Sequence, residues 1–228
     1  MVEIIQAIQA FLDQYAFLLL QGCWDTIVMT TASTFFAYVI GIPIGVGVIL
    51  TSPVGLHPNR VAHTVLGWVV NIGRSIPFII LLVALIPVTR WIVGTSLGVP
   101  GAIVPLVIAA APFVGRLVEQ SLAEVDGGLV EAAQSFGTST MQIVFKVFLK
   151  ESLPSLVRGA SITFITLFGY AAMAGTVGAG GLGDIAIRYG YQRFQGDVMI
   201  VAVVLCIVLV QIIQVIGDVL ARKIDRRN

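Results

Sequence analysis

The chain has 228 residues, 57% of them hydrophobic and 11% charged, with a net charge of +1 and a mean hydropathy of +0.99. A soluble domain carries roughly 25% charged residues, so this composition excludes a water-soluble globule, and its hydrophobicity excludes a disordered chain. The near-zero charge points to no nucleic acid, and Cys23 and Cys206 stand in apolar stretches outside any CxxC or Cys/His cluster, which reads as two small buried hydrophobes and not as zinc ligands.

About 20 apolar residues in a helix cross the hydrocarbon core, where every backbone polar group must be satisfied internally. The sequence predicts an all-α integral membrane protein with five transmembrane helices. Residues before Asp25 are amphipathic to apolar, and read as an interfacial helix or as an extension of the first span. They include Glu3 and Asp13 and no basic residue, since the first is Arg60; a cleaved signal needs a basic start.

The first span runs from about Asp25 to Leu50 and is interrupted by Gly41, Pro43, Gly45 and Gly47. Small residues let membrane helices approach closely, so packing is the first reading and a hinge the second. The second span runs from about Ala62 to Pro87, and the third, with Pro105 and Pro112, from about Ala102 to Ser121. The fourth runs from about Leu153 to Val177 and the fifth from about Asp197 to Ala221. These runs are continuous, unlike the alternating segments of about ten residues in a membrane β-barrel. The whole chain, 1–228, reads as one membrane domain.

Basic residues set orientation. Arg60, Lys146, Lys150, Arg222, Lys223, Arg226 and Arg227 fall on one side, with Arg116 and Arg158 near its helix ends, against Arg90, Arg188 and Arg193 on the other. This puts the N-terminus outside and the C-terminus in the cytoplasm.

The longest cytoplasmic connection, about 122–152, reads as helix, turn, helix. Glu131, Ala132 and Ala133 favour helix, Gly137 suits a left-handed helix end, and Thr138, Ser139 or Thr140 can cap the next helix. Ile143, Val144, Val147 and Phe148 then form an apolar stripe at helical spacing. Such a surface hairpin suits docking of a soluble partner; an ordinary loop with a solvated Glu is the plainer alternative.

Glu131-Ala132-Ala133, three residues, then Gly137 resembles the EAA loop of the membrane subunits of bacterial ABC importers. The family continues with Ile-x-Leu-Pro; here Val147-Phe148-Leu149-Lys150 departs at Lys150. Asn71-Ile72-Gly73-Arg74-Ser75-Ile76-Pro77-Phe78, Ile103-Val104-Pro105-Leu106, Ala111-Pro112-Phe113, Gly169 to Gly175, Gly178 to Gly183 and Tyr189-Gly190-Tyr191 are similar to methionine-uptake permeases, and the similarity covers nearly all the chain from about residue 22.

The resemblance implies the type I importer permease fold in the bacterial cytoplasmic (inner) membrane, surrounded by lipid. It implies a homodimer, two ATPase subunits that bind ATP and Mg, and an external methionine-binding protein or lipoprotein. It assigns ATPase coupling to Glu131, Ala132, Ala133 and Gly137. This chain has no GxxxxGK[ST] phosphate cradle, so ATP-driven transport needs a separate engine. No cofactor, metal site or catalytic constellation is read in the chain itself.

Four residues are candidates for the translocation pathway. Arg74 is basic well inside a span, a functional candidate by default, and equally placed to snorkel to the interface; Asn71 is one turn away. Tyr170 and Met173 share a helix face, and a thioether adapts to apolar substrates; plain packing is the alternative for Met173. Gly178-x-Gly180-x-x-Gly183 matches the dinucleotide fingerprint literally, but it follows a membrane helix and not a strand, so it reads as an external turn with close packing. A permease for another small amino acid or analogue is the nearest competing function. A secondary transporter is disfavoured, since Glu119 and Asp218 have Arg116 and Arg222 within helical pairing distance, and no site supports a membrane enzyme.

Overall fold

The computed structural model describes residues 2–225; Arg226 and Arg227, used above for orientation, lie outside them. Regular structure is helical throughout, with no strand among the described residues. The elements are α1 (Val2–Thr51), α2 (Arg60–Ser75), α3 (Phe78–Ala84), α4 (Ile86–Val93), α5 (Gly98–Ala123) and α6 (Gly127–Ser135). Then come α7 (Thr140–Ile143), a π-helical turn (Val144–Phe148), α8 (Leu149–Glu151) and α9 (Leu153–Gly175). A short α10 (Gly181–Ile185), a second π turn (Ala186–Tyr191) and α11 (Gly196–Ile224) complete the chain.

Among the described residues, four helical stretches are long and apolar enough to cross a membrane: Gln9–Thr51, Gly98–Ala123, Leu153–Gly175 and Gly196–Ile224. The residues before Asp25 are an extension of α1, with no break between them and the first span. A helix of 50 residues is about 75 Å long at 1.5 Å per residue, far more than the ~30 Å hydrocarbon core needs.

The second expected span is not one straight helix. α2 and α3 meet at 99°, and α3 in turn gives way to α4. The cause is Pro77, which has no N–H to continue the ladder and pushes the preceding residue out of the helical region; Ile76 is extended, at φ −84° and ψ 122°. Pro87 sits in the first turn of α4, where its missing donor costs nothing.

The chain divides into two compact units. The first comprises the residues up to Ser33, Phe78–Leu106 and Thr166–Ile212. Its core holds Tyr15, Leu19, Ile185, Val198 and Ala202, all buried, with the Tyr15 ring edge-on to Tyr189 at 6.3 Å and the Arg193 guanidinium 4.5 Å above Tyr189. Thr26 Oγ1 donates to Gly22 O at 2.8 Å and accepts from Leu182 N at 2.9 Å, which fastens α10 to α1. This is the close-packed turn expected of the glycine-rich 178–183 segment.

The second unit comprises Thr34–Pro77, Val107–Ile165 and the residues from Ile213. Here Gly41 and Gly45 lie directly against Val114 and Val118 of α5, so packing accounts for the glycines of the first span. Tyr38 Oη donates to Leu156 O at 3.2 Å, joining α1 to α9. α5 is the most enclosed of the long helices, with 56% of its most apolar window buried, against 6% for α11.

Candidate functional site

The hairpin expected between the third and fourth spans is present in the second unit. Asp126 opens it, its Oδ1 accepting from Gly128 N at 2.6 Å, as an N-cap does. α6 then carries Glu131, Ala132 and Ala133. It ends in paired bonds from Gly137 N to Gln134 O at 2.9 Å and from Thr138 N to Ala133 O at 3.1 Å, the Schellman arrangement that satisfies the last carbonyls of a helix. That closure needs a left-handed residue, and Gly137 has φ +71°. Of the three possible caps for the next helix, Ser139 is the one used: its N–H donates to Gln142 Oε1 at 3.2 Å.

The second arm packs through the stripe read in the sequence: Ile143, Val144 and Phe148 are buried and Val147 is half-buried. Lys150, in place of the family proline, lies exposed in α8. The chain continues almost helically into α9, with Ser152 N bonded to Phe148 O and Leu156 N to Ser152 O.

With the stripe turned inward, the hairpin offers its other face outward. Glu131 and Ala132 are exposed and Ala133 half-buried. Glu131 forms none of the ion pairs among the described residues. Leu129, Phe136, Met141 and Phe145 of the same hairpin are exposed too, Phe136 to 88%. Spacing alone does not pick these out, because a helix period marks an apolar face without saying which side is covered. Nor does spacing announce His57, whose Nε2 lies 2.8 Å from Thr140 Oγ1 and ties the α1–α2 turn to the hairpin. A cavity of 290 Å³ beneath α6 is walled by Glu131 and Gln134 on one side and Ile49, Ser52 and Leu56 on the other.

The pathway candidates fall in both units. In the second, Asn71 and Arg74 are exposed on α2, the latter in its last turn before the bend. In the first, Tyr170 is half-buried and stacked on Phe78, ring centroids 4.6 Å apart and planes within 2°; nothing in the spacing announced that partner. Met173, one turn further along α9, is 48% exposed. Of the acids weighed against ion coupling, Glu119 has the expected partner, Arg116 Nη1 lying 2.7 Å from its Oε2; Asp218 does not, since Arg222 Nε donates to its backbone O at 3.3 Å and not to its carboxylate.

The hairpin geometry carries a first prediction. A Cβ on Gly137 would meet nothing within 4 Å, so Gly137→Ala costs only the left-handed backbone, about 1–2 kcal/mol. Amide exchange across residues 128–143 is expected to rise about five- to thirty-fold, with the rest of the chain unchanged. Unaltered protection there would show that the cap does not hold the hairpin.

Residues 41–228 match the family described as the binding-protein-dependent transport system inner membrane component. The chain is 54% identical to the probable D-methionine transport system permease protein MetI of Vibrio cholerae, covering 92% of this chain and 93% of that one. It is 48% identical to the methionine import system permease protein MetP of Bacillus subtilis, covering 78% and 80%. Among solved structures, a chain of the MetNI methionine ABC transporter in inward-facing conformations superposes with a TM-score of 0.92 at 50% identity, covering 93% of this chain and 99% of that one.

Proposed function

We propose that this chain, which belongs to the binding-protein-dependent transport system inner membrane component family, is the membrane-spanning subunit of an ATP-driven methionine importer of a bacterial inner membrane. The observation that carries the reading is near full-length identity, 54% over 93% of a methionine permease, together with the 0.92 superposition on the MetNI chain.

In this reading two copies form the translocation path, two ATPase subunits dock on the two hairpins, and an external binding protein delivers methionine. The bent α2–α3 pair counts as one crossing, giving five spans with the N-terminus outside and the C-terminus in the cytoplasm. Glu131, Ala132, Ala133 and Gly137 form the coupling segment. An exposed carboxylate on a hairpin that also leaves apolar side chains uncovered supports that assignment, since a partner there gains both buried area and a charge contact. Asn71, Arg74, Tyr170 and Met173 line the path. ATP binding by the engine shifts the membrane helices between inward-open and outward-open states through its differential affinity for the two.

The test is uptake into proteoliposomes holding this chain, its ATPase and its binding protein. Labelled methionine is expected to accumulate only with internal ATP at the ATPase face, and unlabelled methionine to compete better than other amino acids. A different amino acid competing better at equal concentration would overturn the substrate; accumulation without ATP would overturn the mechanism.

A further inference from the structure

The 290 Å³ cavity beneath α6 has two walls, and only one of them belongs to the hairpin. Glu131 and Gln134 stand on the hairpin side; Val54 and Leu56, from the turn that joins α1 to α2, stand on the other. That turn is firmly held. His57 N donates to Leu50 O at 2.9 Å and Asn59 N to Thr51 O at 3.0 Å. A Cβ on Gly55 would strike the carbonyl oxygens of Ile49 and Leu50, so the turn is folded hard against the end of α1. The contact of His57 Nε2 with Thr140 Oγ1, at 2.8 Å, then fixes it to the second arm of the hairpin. α6 and the turn are thus two supported walls with open space between them.

Three features say what covers this space. Glu131 lines the cavity and is also exposed, so a partner seated on α6 at Glu131 reaches the opening as well. Across from it, Val54 is 96% exposed, an apolar side chain without cover on a fixed turn. Glu131 is the one charged residue among those that line the cavity, and Gln134 beside it is exposed too. A lipid acyl chain would take both polar groups out of water without giving them a partner; a protein surface with an apolar side chain next to a basic one satisfies both walls. The volume sets the size of what enters. A cavity of about 150 Å³ holds a molecule the size of benzene, so this one admits one aromatic or branched side chain with room to spare.

We propose that the α1–α2 turn is a second contact for the ATPase subunit, which seats one apolar side chain between Val54 and α6 and sets a basic side chain on Glu131. The proposal rests on the importer reading, in which α6 meets the ATPase, and adds to it a surface outside the hairpin. Gripping both walls, the ATPase moves the end of α1 together with the hairpin.

The experiment is photo-cross-linking with benzoylphenylalanine in place of Val54. The permease is assembled with its ATPase in nanodiscs of phosphatidylcholine and phosphatidylglycerol. A permease–ATPase adduct is expected. Two substitutions accompany it: Val54→Asp, which sets a second carboxylate across from Glu131, and Ala123→Trp, which fills the cavity from an exposed position on its wall. Each is expected to weaken ATPase binding about tenfold or more, the effect of losing one buried apolar side chain. The melting temperature of the isolated permease should stay at the wild-type value, since both sites are on the surface. If Ala123→Trp does not fold, Val54→Asp and the cross-link carry the test.

An adduct with phospholipid alone places the turn on the membrane and overturns the proposal. ATPase binding lost in Glu131→Lys but unchanged in Val54→Asp and Ala123→Trp overturns the second contact and leaves the hairpin reading standing. Binding unchanged in all three removes the hairpin as the docking site, and the proposal with it. A permease–ATPase adduct at Val54 in a complex that takes up no methionine keeps the contact and overturns the substrate.

Discussion

Glu131→Lys is expected to reduce ATP-driven uptake at least thirtyfold while the permease still folds. The side chain is exposed and joins none of the ion pairs among the described residues, and surface substitutions of that kind usually change stability by about 0.5 kcal/mol or less. α6 keeps its cap bonds from Gly128 N and Thr138 N, neither of which involves the Glu131 side chain. In the proposed reading, what changes is the face offered to the ATPase. Breaking one partner of a desolvated charge contact costs about 2–5 kcal/mol, and every 1.4 kcal/mol is tenfold, so the lower bound already corresponds to roughly thirtyfold. Glu131→Gln, which keeps the shape, should fall between wild type and Glu131→Lys.

Three measurements check this: ATPase co-purifying with the permease, uptake, and thermal stability of the isolated permease. Loss of the first two with the third unchanged is the expected pattern. Full ATPase association and uptake in Glu131→Lys would remove the carboxylate from the coupling role. Phe136→Ser is an independent probe of the same face, since that ring is 88% exposed and touches little whose loss would unfold the hairpin.

The hairpin was the most legible part of the chain because soluble rules apply to it. Its caps, its left-handed glycine and its apolar period all report on backbone groups that must be satisfied beside water. Inside the membrane those signals fade. Spans are apolar on all sides, so no cap or change of period marks where the residues before Asp25 join the first span, and an interfacial helix and an extension of α1 read alike. The bend at Ile76–Pro77 was written in the sequence as an X-Pro pair. Hydropathy averages over it, however, and a window of about 20 residues reads a broken helix as a whole one.

The two π turns, at Val144–Phe148 and Ala186–Tyr191, had no sequence signal at all. Each is one register shift in the ladder, set by what packs around it. Tyr170 was named for sharing a face with Met173, yet its partner Phe78 lies 92 residues away in sequence (170 − 78), a distance that no local pattern spans.

The glycine-rich segment after α9 gives the second large prediction. Gly183→Val is expected to prevent stable assembly of the first unit. A Cβ on Gly183 would strike Ala172 O and come within 2.5 Å of Ala172 Cα, and one on Gly175 would strike Asp184 N. Both collisions are with main chain, which cannot rotate aside as a side chain does. α9 and α10 therefore touch backbone to backbone, the approach that small residues permit between membrane helices. Separating them would also pull Leu182 N from Thr26 Oγ1, a bond of 2.9 Å that ties α10 to α1.

Steric overlap and a broken buried hydrogen bond together belong to the class of substitutions that cost more than about 4 kcal/mol. Gly169→Ala on the same α9 is the control. A Cβ there meets nothing within 4 Å, so it should be neutral or stabilising by about 0.4–1 kcal/mol, through the unfolded chain. The expected result is loss of monodisperse protein for Gly183→Val and wild-type yield and melting temperature for Gly169→Ala. A Gly183→Val permease that melts within a few degrees of wild type would mean the two segments can part without harm. The glycines would then have to be there for something other than packing.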